Sequence, residues 1–369
     1  MAPLGTALVM VGLGFALLAK SQRDRRSGAH EHGRPRDRRP SLRKREPHGE
    51  GVRRVILGQL DLAVELLERY RDEPPAVGGG GDAWAGRHGQ VPPGGGLAGA
   101  ASADVARAST VHEVRKALKR LRALLRLVRG ELGGKRYARE NASLRDCGRR
   151  LAGARDAEVM LSTLDALVRE HPARLSTSPG VRALRSQLLS EREHAAALAI
   201  GDPHVRGEVL AELRAVRARI ERWQPRERGF PLLAPGLERV YARGRLRMRR
   251  ARRRESVAAL HMWRKQVKEL RYAAETLDRG GKSFKPVRVL ARRADRLGEM
   301  LGEEHDLALL QERVRARSPL FAGERKTRKR LSRLIAHRRK RLRKRALRAG
   351  ERLYKRSPRR FVRRIKRPH

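Results

Sequence analysis

The 369-residue sequence is poor in cysteine, in aromatic residues and in acidic residues. Its single cysteine, Cys147, excludes an intramolecular disulfide and a cysteine-rich zinc site. Because aromatic residues make up only 4%, any core must consist mainly of Leu, Ala and Val, as in helical bundles. No stretch shows the alternation of β-branched and polar residues that is typical of strands, so the sequence predicts an all-α fold.

The shortage of acid leaves the chain strongly basic. It contains 40 Asp and Glu against 89 Lys and Arg, a formal net charge of +49. A chain with this charge is expected to meet polyanions, and the obvious classes are nucleic acid, an acidic membrane surface and polyphosphate.

Two stretches concentrate this charge on one face of a predicted helix. Residues 111–128 read VHEVRKALKRLRALLRLV, and at about 100° per residue their basic side chains share a face roughly 120° wide. This face carries His112, Arg115, Lys116, Lys119, Arg122 and Arg126, opposite a continuous apolar face. The second stretch, HMWRKQVKELRYAAETL, repeats the spacing with His261, Arg264, Lys265, Lys268 and Arg271. The match predicts two related halves offset by about 150 residues.

The parallel continues downstream of both stretches. Asp156 follows His112, and Asp306 follows His261, at nearly the same distance along the chain. We expect Arg155, Asp156, His305 and Asp306 to orient the basic side chains. His305 and Asp306 also resemble a metal-dependent phosphohydrolase of the His-Asp type, but Arg155 stands where the repeat would need a second histidine, and arginine does not ligate metals. We therefore predict no catalytic residue, no metal ligand and no cofactor.

Two basic faces, each backed by an apolar face, suit a ligand that carries several phosphates. Arginine binds phosphate through two parallel hydrogen bonds, whereas lysine acts as a point charge. A histidine surrounded by such cations should be mostly neutral, and bound phosphate should raise its pKa.

The pattern H-x-x-R-K-x-x-K-x-x-R, present twice, resembles the CHAD family of histidine-containing α-helical domains. The resemblance covers about residues 52–317 and includes the connector GFPLLAPGLERVYARGR. It implies two four-helix bundles related by a pseudo-twofold axis around a basic central groove or pore. It also implies that the two basic faces bind inorganic polyphosphate. The alternating glutamate and lysine pattern of the triphosphate-tunnel domain, which many relatives carry, is not found, so triphosphate hydrolysis is not expected.

The remaining segments surround this helical domain, predicted at 51–317 with half-repeats at about 51–200 and 203–317. Within the apolar segment 1–20, residues 3–19 read as a short membrane anchor, a cleaved signal, or a loose or wrongly assigned start. Residues 21–50 are basic and too polar to form a core, so we expect disorder. The Gly- and Pro-rich insertion 74–99 is predicted to be a flexible loop. Residues 318–369 are predicted to be a strongly basic, partly helical tail that attracts polyanions.

The sequence as a whole predicts non-catalytic binding of inorganic polyphosphate. The expected location is the cytoplasm, at polyphosphate granules or tethered to a membrane with the domain on the cytoplasmic side. A nucleic-acid-binding protein is the alternative, since a chain of this charge binds DNA or RNA at low salt. Few aromatic residues are available for base stacking, and no DNA-reading motif is apparent. A metal-dependent phosphohydrolase that uses Asp156 and Asp306 is a third interpretation.

Overall fold

The computed structural model describes residues 41–72, 95–151, 155–201, 203–279 and 284–366, and within these ranges the protein is helical without strands. The predicted all-α fold is therefore confirmed. The principal helices are α1 His48–Asp72, α2 Gly95–Leu127, α3 Gly134–Arg150, α4 Arg155–Glu170, α5 Pro179–Gly201, α6 Pro203–Glu221, α7 Ala234–Arg254, α8 Val257–Leu277, α9 Lys285–Ala316, α10 Arg325–Leu353 and α11 Pro358–Lys366. Short helical turns lie at Arg129–Leu132, Pro172–Leu175, Phe230–Leu232 and Ser318–Phe321.

Local sequence signals account for several helix boundaries. Helix α5 begins at Pro179, and the Val181 N–H donates to Ser178 Oγ at 3.2 Å. At α8 the Ala259 N–H donates to Ser256 Oγ at 3.2 Å, which satisfies one backbone donor of the first turn. Glu255 adopts a left-handed conformation, with φ of 45°, and ends α7. Helix α8 therefore turns back and packs along α7.

The apolar faces of the helices form two hydrophobic cores. The larger core contains buried residues of α1, α2, α3, α6, α7, α8, the first half of α9 and the end of α10. The smaller core joins α4 and α5 to the second half of α9 and the first half of α10. Each core thus draws helices from both sequence halves. The pseudo-twofold pair of four-helix bundles stays a prediction.

The C-terminal segment, expected to be a partly helical tail, is packed into both cores. Leu331, Ile335 and Leu342 of α10 are buried in the smaller core, and Leu353 is buried in the larger one. The Phe361 ring of α11 stacks on Tyr241 with 3.9 Å between ring centroids. The compact unit accordingly continues through these helices instead of ending at residue 317. This segment can pack into the cores because its few apolar residues recur at helical spacing and therefore share one face of a very basic helix.

Differences from the expected organisation also occur nearer the N-terminus. Residues 41–50 are ordered: Leu42 is buried, its N–H donates to the Thr276 carbonyl at 2.8 Å, and Arg54 pairs with Glu46 at 2.7 Å. Residues 95–99, the end of the predicted loop, belong to α2. The rest of that insertion lies outside the described residues, and so do residues 1–40 with the proposed anchor at 3–19. None of the helices that the structure describes is long and apolar enough to cross a membrane.

Close approaches of the backbone set the positions of the two basic helices, α2 and α8. A Cβ atom at Gly236 of α7 would overlap the carbonyl of Leu127, the last residue of α2. A Cβ atom at Gly350 of α10 would lie 2.5 Å from the indole of Trp263, which is fully buried on α8. Since neither site has room for a side chain, glycine allows α7 to contact the end of α2 and α10 to contact α8.

Candidate anion-binding groove

The two basic faces meet in one groove, of about 260 Å³, between α2 and α8. Seven of the predicted contact residues line it, and two further residues, Glu269 and Tyr272, join them. The predicted residues in the lining are Lys119, Arg122 and Arg126 from α2, with His261, Arg264, Lys265 and Lys268 from α8. The tertiary structure thus brings the central part of both repeats to the same surface.

The buried face of each helix holds its basic face in place. On α2, Leu118, Leu121 and Leu125 are at most 2% exposed, opposite the groove-lining cations. On α8, Trp263 and Val267 are completely buried in the same core. Because the core fixes both backbones, the cations need little reorganisation to meet an anion.

The α2 wall of the groove is organised by two polar contacts. Arg122 Nε donates to Asn141 Oδ1 of α3 at 3.1 Å, and Arg126 pairs with Glu269 of α8 at 2.8 Å. Burial lowers the pKa of Arg122, and the neighbouring charge of Arg126 lowers it further. Both contacts orient a guanidinium group. Only Arg126 is paired with a carboxylate, because the partner of Arg122 is a neutral amide.

Glu269 and Tyr272 were missed by sequence reasoning. Burial raises the pKa of Glu269, although the facing Arg126 opposes that shift. Tyr272 lies 5.6 Å from the Arg120 guanidinium carbon, measured to the ring centroid, and is itself buried. An acidic residue directly after Lys268 was the available signal for Glu269, because it interrupts an otherwise basic face. Tyr272 had no comparable signal.

The charge of the groove is strongly one-sided. Its lining contains six Lys or Arg and one carboxylate, a formal excess of five positive charges when His261 is neutral. Several arginines outside the groove are instead neutralised by a single carboxylate, as where Arg185 pairs with Asp165 at 2.8 Å. A concave surface with this excess concentrates anions and offers several donors at once.

His261 is a weakly basic histidine in the lining of the groove. Burial lowers its pKa to about 4, and His305, Lys265, Arg264 and Lys268 lower it as well. The rings of His261 and His305 lie 4.3 Å apart between centroids, and Nδ1 of His261 is buried without a hydrogen-bond partner among the described residues. In this environment the imidazole of His261 is expected to be neutral near pH 7.

Four other predicted contact residues do not line the groove. Arg115 donates to the Leu151 carbonyl at 3.4 Å, and Lys116 pairs with Glu113 at 3.0 Å. Arg271 donates to Glu275 at 2.6 Å and also pairs with Asp295. His112 is half-buried one turn before Lys116. The repeated spacing therefore overstates the number of repeat positions that reach the groove.

The predicted orienting residues lie on α4 and α9. His305 and Asp306 are half-buried on α9, and His305 contacts His261. Arg155 and Asp156 begin α4, but their side chains lie outside the described residues. Among the residues that the structure describes, no group of three or more His, Cys, Asp or Glu is arranged to hold a metal.

Comparison with known proteins gives the family. The family model of the CHAD domain matches residues 98–315, more than half of the chain, so the protein belongs to the CHAD family. The chain is similar to the crystal structure of the CHAD domain from the plant Ricinus communis, with 18% identity and a TM-score of 0.53. That similarity covers 87% of this chain and 96% of the plant chain, and at this identity it supports the shared fold. No curated protein matches the sequence significantly.

Proposed function

We propose that the groove between α2 and α8 binds inorganic polyphosphate without transforming it. The observation that carries the proposal is the meeting of two basic faces in one groove with an excess of five positive charges. Membership of the CHAD family, which is associated with polyphosphate binding, supports it.

The composition of the groove favours an inorganic polyanion over nucleic acid. The lining contains one tyrosine and no phenylalanine or tryptophan. This tyrosine, Tyr272, is 9% exposed and lies beside the guanidinium group of Arg120, so its ring is unsuited to stacking on a base. The remaining donors are arginines and lysines, which recognise phosphate oxygens whatever base or sugar accompanies them. Polyphosphate presents such oxygens continuously and needs no room for bases.

The donors in the groove support binding rather than hydrolysis. Its carboxylate, Glu269, is engaged by Arg126, which leaves cations to face the ligand. Cations distributed along both walls neutralise several phosphates together, and the one carboxylate of the lining is already paired with Arg126. We therefore propose a binding module in which α2 and α8 hold consecutive parts of one chain.

Competition tests this function against the nucleic-acid alternative, which the net charge of +49 favours. The protein is loaded with labelled long-chain polyphosphate at about physiological salt, where non-specific contacts are weakened. It is then challenged with an excess of duplex DNA or single-stranded RNA, counted as phosphate. We expect polyphosphate to stay bound. Displacement in proportion to added phosphate would instead identify a generic polycation and reject the proposal.

The environment of His261 predicts that affinity depends on pH. In the free protein, burial and neighbouring cations lower its pKa to about 4. A bound polyanion favours the imidazolium, so the complex takes up a proton more readily than the free protein. Affinity is then expected to rise between about pH 7 and about pH 5, by up to about tenfold per pH unit for one proton.

Isothermal titration across this range measures the effect. His261→Gln is expected to flatten the profile, whereas His337→Gln, an exposed histidine on α10, should keep the slope of the parent. An unchanged slope in His261→Gln would place the proton on another group.

A further inference from the structure

A second basic cleft, outside the groove, lies where α7 turns into α8. Its volume is about 750 Å³, and it is lined by Arg247, Arg250, Arg253 and Arg254 from the end of α7 and by uncharged residues at the start of α8. Arg247, Arg250 and Arg254 are spaced three and four residues apart, so they project from the same side of α7. The turn at Glu255 thus folds an arginine-rich helix end over the start of a basic helix.

The arginines of this cleft differ from others nearby because no carboxylate in the described part of the chain pairs with them. Among the described residues, none of the four forms an ion pair, whereas Arg252 on the opposite side of α7 pairs with Glu351 at 3.2 Å. The lining of a neighbouring cleft includes Arg339 and Arg343 of α10, and each of these arginines is paired with the buried Glu304 of α9. Four unneutralised guanidinium groups around one concave space form a site for a multiply charged anion.

The cleft and the groove adjoin each other on the surface of α8. Ala258 and Met262 line the cleft, whereas His261 and Lys265 line the groove. Ala258 precedes His261, and Met262 precedes Lys265, by three residues, so each pair lies side by side on the helix. From Ser256 to Lys268 the two sites together extend about 18 Å along α8 at the helical rise per residue.

We propose that this arginine cleft is a second polyphosphate-binding segment that engages the part of a long chain emerging from the groove. The proposal rests on the proposed function of the groove and adds selection for chain length to it. A tripolyphosphate is too short to span both segments and occupies the groove alone. A long chain fills both, and its affinity gains from the additional phosphate contacts.

The test compares tripolyphosphate with long-chain polyphosphate on a double variant, Arg250→Gln with Arg254→Gln. The matched control, Arg249→Gln with Arg252→Gln, removes the same charge from the opposite side of α7. We expect the test variant to lose about tenfold in affinity for the long chain, and its salt dependence to fall by about two in log–log slope. Tripolyphosphate affinity should stay within about twofold of the parent in both variants, since exposed charges that do not contact the ligand are largely screened at physiological salt.

Three results would overturn the proposal that the cleft binds polyphosphate. They are an undiminished long-chain affinity in the test variant, an equal loss in the control variant, or an equal loss for tripolyphosphate. None of these results contradicts the proposed function of the groove if two conditions hold. Tripolyphosphate must bind the parent, and it must fail to bind a protein with Lys119→Glu and Lys268→Glu. Tripolyphosphate binding that survives those two substitutions would instead reject the groove, and with it both proposals.

Discussion

Replacing Lys119 and Lys268 together by glutamate is expected to abolish tight polyphosphate binding, with an affinity loss of at least about 100-fold at physiological salt. The two lysines face the groove from α2 and α8, so the substitution reverses charge on both walls. The formal charge of the lining falls from an excess of five to an excess of one, which removes most of the attraction. Both side chains are half-buried and outside the core, and we therefore expect helicity and cooperative unfolding to persist.

A control variant with the same type of substitution distinguishes the effect of the groove from the effect of the net charge of the protein. Lys329→Glu with Lys355→Glu changes the net charge equally at exposed positions in the C-terminal region. Isothermal titration with long-chain polyphosphate should find this control within about threefold of the parent, since exposed charges beyond a Debye length are largely screened. Equal losses in both proteins would mean that net charge, and not the groove, determines binding.

Glu304→Gln is expected to lower the free energy of unfolding by about 3 kcal/mol or more, because it removes one partner of a buried ionic cluster. The Glu304 side chain is 2% exposed on α9, and it pairs with Arg339 at 2.9 Å and Arg343 at 2.8 Å on α10. Glutamine keeps the size of the side chain but leaves two guanidinium groups without their carboxylate. Because α10 contributes to both cores, the loss should affect the whole cooperative unit.

The adjacent residue supplies the matched control. Glu303 is 38% exposed and pairs with Arg338. Its replacement by glutamine should cost less than about 1 kcal/mol, as for other solvent-exposed ion pairs. Urea denaturation followed by helical circular dichroism measures both variants. Similar values for the two would show that the α9–α10 contact contributes no more than a surface pair.

Because α10 is packed into the protein, the C-terminal segment cannot be studied by a simple deletion. Deleting residues 324–369 appears from sequence to remove only a basic tail, and with it non-specific DNA binding. In the folded protein that deletion also removes the buried leucines of α10 and the Phe361 ring that stacks on Tyr241. Substitution of exposed residues such as Lys329 therefore probes the charge of this segment without the loss of core contacts.

Much of the fold could be read from local patterns. The starts of α5 and α8 follow a capping serine, and the apolar spacing around Leu121 and Trp263 predicted which faces are buried. The boundaries of the folded domain were less predictable. Leu42 becomes ordered through a backbone contact with Thr276 of α8, a residue far away in the sequence. The apolar spacing in residues 318–369 indicated a helix, but whether that apolar face packs into the cores depends on the other helices that it meets.

The sequence by itself determined that the protein is helical and that two repeated helices each carry a basic face, since helical periodicity is a local property of residue order. Only the tertiary structure decided which of those cations share a groove. Lys268 lines the groove, whereas Arg271, one turn further along the same face, is held by Glu275 and Asp295. Glu269 of α8 became a partner of Arg126 of α2 for the same reason. Ion pairing and burial depend on which helices pack together, and residue spacing within one helix contains no record of that.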